Sequence, residues 1–166
     1  MSTAAKYRTG AKGALLDEYQ RALKELQEVV SGLSGEDLAT ILDDRTSDED
    51  CRSIGNILTH VVHSGYGYAT SIHNRGGDRK QRPDKIFHTN LMEYLHDLSN
   101  MFSFTEQVFE HVSENELEQL DESRKIKTSW NQFYDIEQLM EHAIVHILRH
   151  RRQIEKFKIV LADLKK

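Results

Sequence analysis

Apolar residues recur at three- and four-residue steps through four long segments of the chain, and strand-like alternation is almost absent. The pattern predicts an all-α fold, a four-helix bundle. In the first segment, about Leu15 to Leu33, the stripe runs through Leu16, Tyr19, Leu23, Leu26 and Val30, and Gly32 and Gly35 punctuate its end. A short helical turn is expected over Asp37–Leu42. The second helix is expected to start near Arg52, where Ser47, Asp48 and Asp50 offer oxygens to the free amides of a helix start, and to end at Gly76 and Gly77. The third opens at Thr89 or Asn90 and ends near Asn115. In the fourth, Asp135 caps the amides, Gln138 completes a capping box, and the periodic run extends to about Leu161. Long connections follow the second and third helices, which fits a bundle with at least one crossover. Between them, Arg75–Lys85, with Arg79, Lys80, Arg82 and the only proline, Pro83, reads as a solvated basic loop. Trp130, Phe133 and Tyr134, just ahead of the last helix, read as an aromatic plug of the bundle end.

Composition narrows the class without naming a partner. With 166 residues, 38% hydrophobic and 30% charged, and with one Pro and nine Gly, the chain is neither collagen-like nor disordered. One domain is expected over residues 14–166, preceded by a basic, small-residue segment at 1–13 read as a flexible tail. Lys and Arg number 22 against 27 Asp and Glu, a net charge of -5, which argues against a nucleic-acid partner and against membrane-surface binding. Cys51 is the only cysteine, so an intrachain disulfide and a cysteine-based zinc cluster are excluded and a cytoplasmic location is expected. Self-association as a homodimer is expected of a bundle this size. Nine histidines are the compositional feature that carries chemistry.

The fourth helix holds three of them in the string EHAIVHILRHRRQI: His142, His146 and His150. Imidazoles at i and i+4 project side by side and can share one divalent ion. At about 100° of rotation per residue, the apolar stripe of this helix is approached most closely by His150, then His146, then His142. Periodicity therefore selects His146 with His150, leaving His142 beside the site or facing solvent. The string GNILTHVVH on the second helix contains His60 and His63, but His60 lies about 140° from the centre of its stripe and His63 farther still. Spacing alone leaves both half-exposed. His73, His88, His96 and His111 read as surface histidines.

Those two strings, their order and the four-helix outline together resemble the DinB/YfiT-like superfamily over essentially the whole chain. The resemblance implies a crossover four-helix bundle and a three-histidine metal site with one ligand on the second helix and two on the last. The superfamily's last-helix pattern, a histidine four residues before an HRGQI-like string, falls on His146 and on His150-Arg151-Arg152-Gln153-Ile154. Its second-helix histidine falls on His60. Arg152 stands where the pattern usually has glycine.

Three neutral imidazoles leave a divalent ion its full charge and an open position, and they suit zinc, nickel, copper or iron. The resemblance implies metal-dependent transferases and isomerases that use low-molecular-weight thiol cosubstrates such as bacillithiol or mycothiol, and the first reading is a thiol S-transferase acting on a small-molecule electrophile. Two other readings stand beside it: a hydrolase, which needs a base such as Glu141 or Glu106 aimed at the metal, and a non-catalytic metal-binding bundle with His142 or His63 as a closing fourth ligand. Arg149, Arg151 and Arg152 are candidates for a substrate carboxylate or plain solvated charge. Tyr66 and Tyr68 are candidates for the pocket wall or the core.

Overall fold

The computed structural model describes residues 7–166, and the bundle is built from α1 (Gly10–Val30), α3 (Ile54–His73), α4 (Leu91–Glu110) and α5 (Ile136–Leu164), with the short α2 (Gly35–Ala39) between the first two. The expected all-α class is what forms. The one sheet among the described residues is a two-residue antiparallel pair, β1 (Ile126–Lys127) and β2 (Phe133–Tyr134), with Ile126 opposite Tyr134.

Local chemistry sets the starts of these helices. The Ser53 hydroxyl accepts from the Asn56 amide, and the Asn90 carbonyl oxygen from that of Glu93, each at 3.1 Å. Asp135 and Gln138 form both bonds of the expected capping box, at 2.9 and 3.1 Å. The cap of α3 is thus Ser53, not Ser47, Asp48 or Asp50. Asp48 caps a separate 3-10 turn over Glu49–Cys51, which places Asp50 elsewhere. Residues 1–6 of the expected flexible tail lie outside the described residues, and Gly10–Gly13 are already helical. What holds that end is long-range: the Arg8 amide donates to Asp17 at 2.9 Å, and the Lys12 ammonium donates to the carbonyls of Phe109 and Val112 at 3.1 and 2.8 Å.

The four long helices form a ring in which α1 touches α5 and α4, and α3 touches α5 and α4. Contacts along the chain fix their directions. Lys12 meets Phe109 while Tyr19 meets Phe102, so α1 and α4 are antiparallel. Arg151 meets Glu25 and Lys158 meets Val29, so α1 and α5 are parallel. Thr59 meets Tyr94 and Tyr66 meets Phe104, so α3 and α4 run parallel as neighbours. Parallel neighbours need a return connection as long as the helix. Residues 74–90 supply it by running back along α3: His63 Nδ1 lies 3.1 Å from the Pro83 carbonyl, and the Thr59 hydroxyl donates to that of Ile86 at 3.3 Å. This is the expected crossover, and its basic residues are exposed as a solvated loop while its backbone runs along α3.

Leu26, Ile54, Ile57, Leu58, Leu98, Met101, Met140 and Ile154 have no exposed surface and fill the centre. Truncating one leaves a cavity that close packing cannot collapse, so Leu98→Ala is expected to lower unfolding free energy by about 2–5 kcal/mol. Leu120→Ala, at a side chain 99% exposed, is expected to stay within about 0.5 kcal/mol. Urea unfolding of the two variants measures the contrast.

Candidate metal centre

α3 and α5 face one another antiparallel, and this brings His60 of one against His146 and His150 of the other. His60 Nε2 and His146 Nε2 are 2.9 Å apart, and His150 Nε2 and His146 Nε2 are 3.2 Å apart. One nitrogen from each residue lies within 4.8 Å of the other two. Two nitrogens bound tetrahedrally to an ion at ordinary Zn–N length stand roughly 3.3 Å apart, so the spacing has the scale of a shared coordination shell.

The far sides of two rings are engaged as metal-site histidines require. His60 Nδ1 is 3.0 Å from Asp50 Oδ2, and His150 Nδ1 is 3.1 Å from Gln153 Oε1. Both partners are acceptors, so each Nδ1 carries the proton and donates, and each Nε2 presents a lone pair toward His146. Asp50 is held in turn by the Lys85 ammonium at 2.5 and 2.7 Å. Burial pushes the Asp50 carboxyl up, but hydrogen bonds from Lys85 and His60 outweigh it and leave the group below its ordinary value. It is an anion aimed at the back of His60.

Burial, followed by the neighbouring histidines, pushes His146 down to about 3. Burial and then His60 push His150 down to about 4. Both are neutral at pH 7, which is the state that coordinates. His146 has one N–H at most to share with the two nitrogens that face it, and a divalent cation is the partner that would take a lone pair from all three rings.

His150 is 2% exposed and forms the floor, while His60 and His146 line a cleft of about 560 Å³. His142 does not join the group. Its ring stacks on Trp130 at 5.0 Å and 22° and meets Tyr68 edge-on at 5.6 Å, forming one wall of the cleft. His63 lines the cleft but is tied to Pro83. Among the described residues no fourth imidazole closes the site, so one side of the triad opens on space a small molecule can enter.

The structure corrects some of the sequence readings and decides between others. Trp130 and Phe133 are 43% and 42% exposed and do not plug the bundle end. The turn between β1 and β2, with Asn131 in the left-handed region at φ 63°, carries Trp130 over the cleft. Tyr68 lines the cleft, whereas Tyr66 packs on Phe104. Arg151 pairs with Glu25 and Glu155, and neither it nor Arg149 or Arg152 lines the cleft. Glu106 binds Arg8 at the α1–α4 side, and Glu141 is exposed away from the cleft. His88 is no free surface group, since its Nε2 lies 2.6 Å from Asp97. Cys51 is buried near Asp48, outside the cleft.

Because Asp50 orients His60 and adds basicity to it, Asp50→Asn is expected to weaken metal affinity about 10–100-fold without unfolding the chain. Titration against a competing chelator reads the change, and unchanged affinity would remove Asp50 from the centre.

The model of the DinB family matches the chain over residues 1–157. No curated protein and no solved structure matches it. Among the described residues, no helix is long and apolar enough to cross a membrane.

Proposed function

This chain belongs to the DinB family, and from that premise we propose that His60, His146 and His150 hold one divalent transition-metal ion, zinc, nickel or iron, in a metal-dependent thiol S-transferase acting on small electrophiles. The observation that carries the reading is the meeting of three imidazole nitrogens beside an open cleft, with the outer nitrogens of His60 and His150 already committed to acceptors. A bound divalent ion supplies Lewis acidity, which lowers the pKa of an incoming thiol into the neutral range.

The chain's own residues supply the rest. Asp50 and Gln153 keep His60 and His150 in the coordinating tautomer. Trp130, His142 and Tyr68 give the cleft an aromatic wall that excludes water from one side of the reacting pair. In the transfer, the new sulfur–carbon bond forms as the bond from carbon to its leaving group breaks; the leaving group takes that electron pair, and the thiol proton passes to solvent. Hydrolysis is less well supported, because the cleft's one carboxylate, Asp50, is already bonded to His60 and Lys85.

The test is conjugation of 1-chloro-2,4-dinitrobenzene with a panel of low-molecular-weight thiols, bacillithiol and mycothiol among them, followed by mass spectrometry. Conjugate formed by metal-loaded protein, and lost on stripping and in His146→Ala, is the expected result. Conjugation at the buffer rate with every thiol would overturn the transferase reading.

A further inference from the structure

The cleft beside the three histidines carries charge that its own residues do not balance. Arg82, Lys85 and Lys127 line it, against Asp50 alone. Asp50 is spent on Lys85 and His60, and the Lys127 ammonium lies 5.9 Å from the Phe133 ring centroid. Arg82 has no hydrogen-bond or ion-pair partner among the described residues. A divalent ion held by three neutral imidazoles would add two further positive charges with no compensating ligand. In a chain whose net charge is -5, this is a local field, and a cleft with low-dielectric walls focuses it on anions.

The chain on either side of Arg82 is tied down. Two residues before it, the Lys80 amide donates to the Asn74 side chain at 2.8 Å, and the Lys80 carbonyl accepts from the same side chain at 3.0 Å. One residue after it, the Pro83 carbonyl is tied to His63. Gly67 makes room on α3: a Cβ there would stand 2.9 Å from Arg82 Nη1. Arg82 is exposed, but with the chain tied on both sides of it and its guanidinium lying against Gly67 it stands at the cleft with no partner of its own, open to a ligand. A planar guanidinium matches a carboxylate with two parallel hydrogen bonds.

We propose that the cleft takes a small molecule carrying a carboxylate, gripped by Arg82, while the other end of that molecule reaches the three-histidine centre and its stem lies along Trp130 and His142. This rests on the metal reading above and names the class of substrate that the centre receives. Arg82 is a binding residue in it, and the return connection of the crossover is the element that delivers it.

The test uses the full chain loaded with cobalt and titrated with ω-mercapto acids and the matching ω-mercapto alcohols over a series of chain lengths, read by the sulfur-to-cobalt absorption band. At one length or more the acid is expected to bind about tenfold tighter than the alcohol. Arg82→Gln is expected to cut that preference to less than about twofold while metal content and alcohol affinity stay as in wild type, and Arg82→Lys to keep part of it. Acids and alcohols binding alike at every length, or Arg82→Gln retaining the preference, would overturn the proposal. The same pairs built on a hydroxamate head separate the two readings. If thiols give no band but hydroxamic acids show the Arg82-dependent preference, the carboxylate site stands and the thiol reading falls. If neither head reaches the cobalt, both fall.

Discussion

His146→Ala is expected to take bound metal from about one ion per chain to below about a tenth of that, and His60→Ala and His150→Ala to do the same, while His142→Ala keeps the ion. His146 Nε2 is the shared vertex, 2.9 Å from His60 and 3.2 Å from His150, so its loss leaves two imidazoles facing across a gap. Losing either of the others leaves two donors, and the penalty should exceed the 10–100-fold cost of an outer partner such as Asp50. His142 is the internal control. It sits one turn away on the same helix, with its ring in a stack with Trp130 and its nitrogens outside the converging group. Elemental analysis by mass spectrometry on tag-free protein measures the content, and circular dichroism of each variant shows whether the bundle survives. A wild-type protein that holds no metal, or a His142→Ala variant that loses it as His146→Ala does, would sink the three-ligand assignment.

Helix five was legible because its signals are local. Asp135 and Gln138 cap it as the sequence indicates, and its stripe is one-sided enough that the rotation of His146 and His150 toward the neighbouring helix could be read directly. His60 was not legible in the same way. α3 packs on α2 and the 3-10 turn as well as on α4 and α5, with 11 of its 20 residues buried against 9 of 29 in α5, so its buried arc is wide, and a residue far from the stripe's centre still meets α5 at the arc's edge, with its side chain 24% exposed. Only the resemblance selected it. Asp50 was hidden by its location: an aspartate ahead of a helix reads as a cap, and nothing local announces that a 3-10 turn after Asp48 aims it at His60 instead. The basic connection illustrates a further limit. Its composition is that of a solvated loop, and exposed it is, but its course beside the cleft, set by the parallel arrangement of α3 and α4, is a tertiary fact with no local mark. Trp130 follows the same rule, since a two-residue strand pair carries too little periodicity to show where its turn will point.

The metal-free protein is expected to lose stability steeply as pH falls from about 6.5 to about 4, and the half-buried His146 and the buried His150 are the largest reason. In the unfolded chain a histidine takes its proton near pH 6.5. In the folded chain, burial holds His146 neutral to about 3 and His150 to about 4. Between those limits the unfolded state binds more protons than the native state, so unfolding free energy rises with pH and drops on acidification. The stability is fully present above about 6.5, and the loss is complete once the folded chain can protonate as well. Each histidine contributes at most about 1.4 kcal/mol per pH unit in that window. Set against a total stability on the order of 5–15 kcal/mol, two of them are a large share. For a chain of this length the melting temperature should fall on the order of 10 °C between pH 6.5 and 4.5. A His146→Leu/His150→Leu double variant cannot take up those protons when it unfolds, so its melting temperature should fall clearly less over the same window, with His63 and His142, which burial also pushes down, left to account for the rest. Calorimetry on both proteins, stripped of metal, decides the matter, and a double variant as acid-sensitive as wild type would refute the assignment of the effect to these rings. The same pair of groups thus sets two properties. Neutral imidazoles kept in a buried cluster weaken the empty fold in acid, and a cation that binds their lone pairs stabilises the folded chain over the unfolded one.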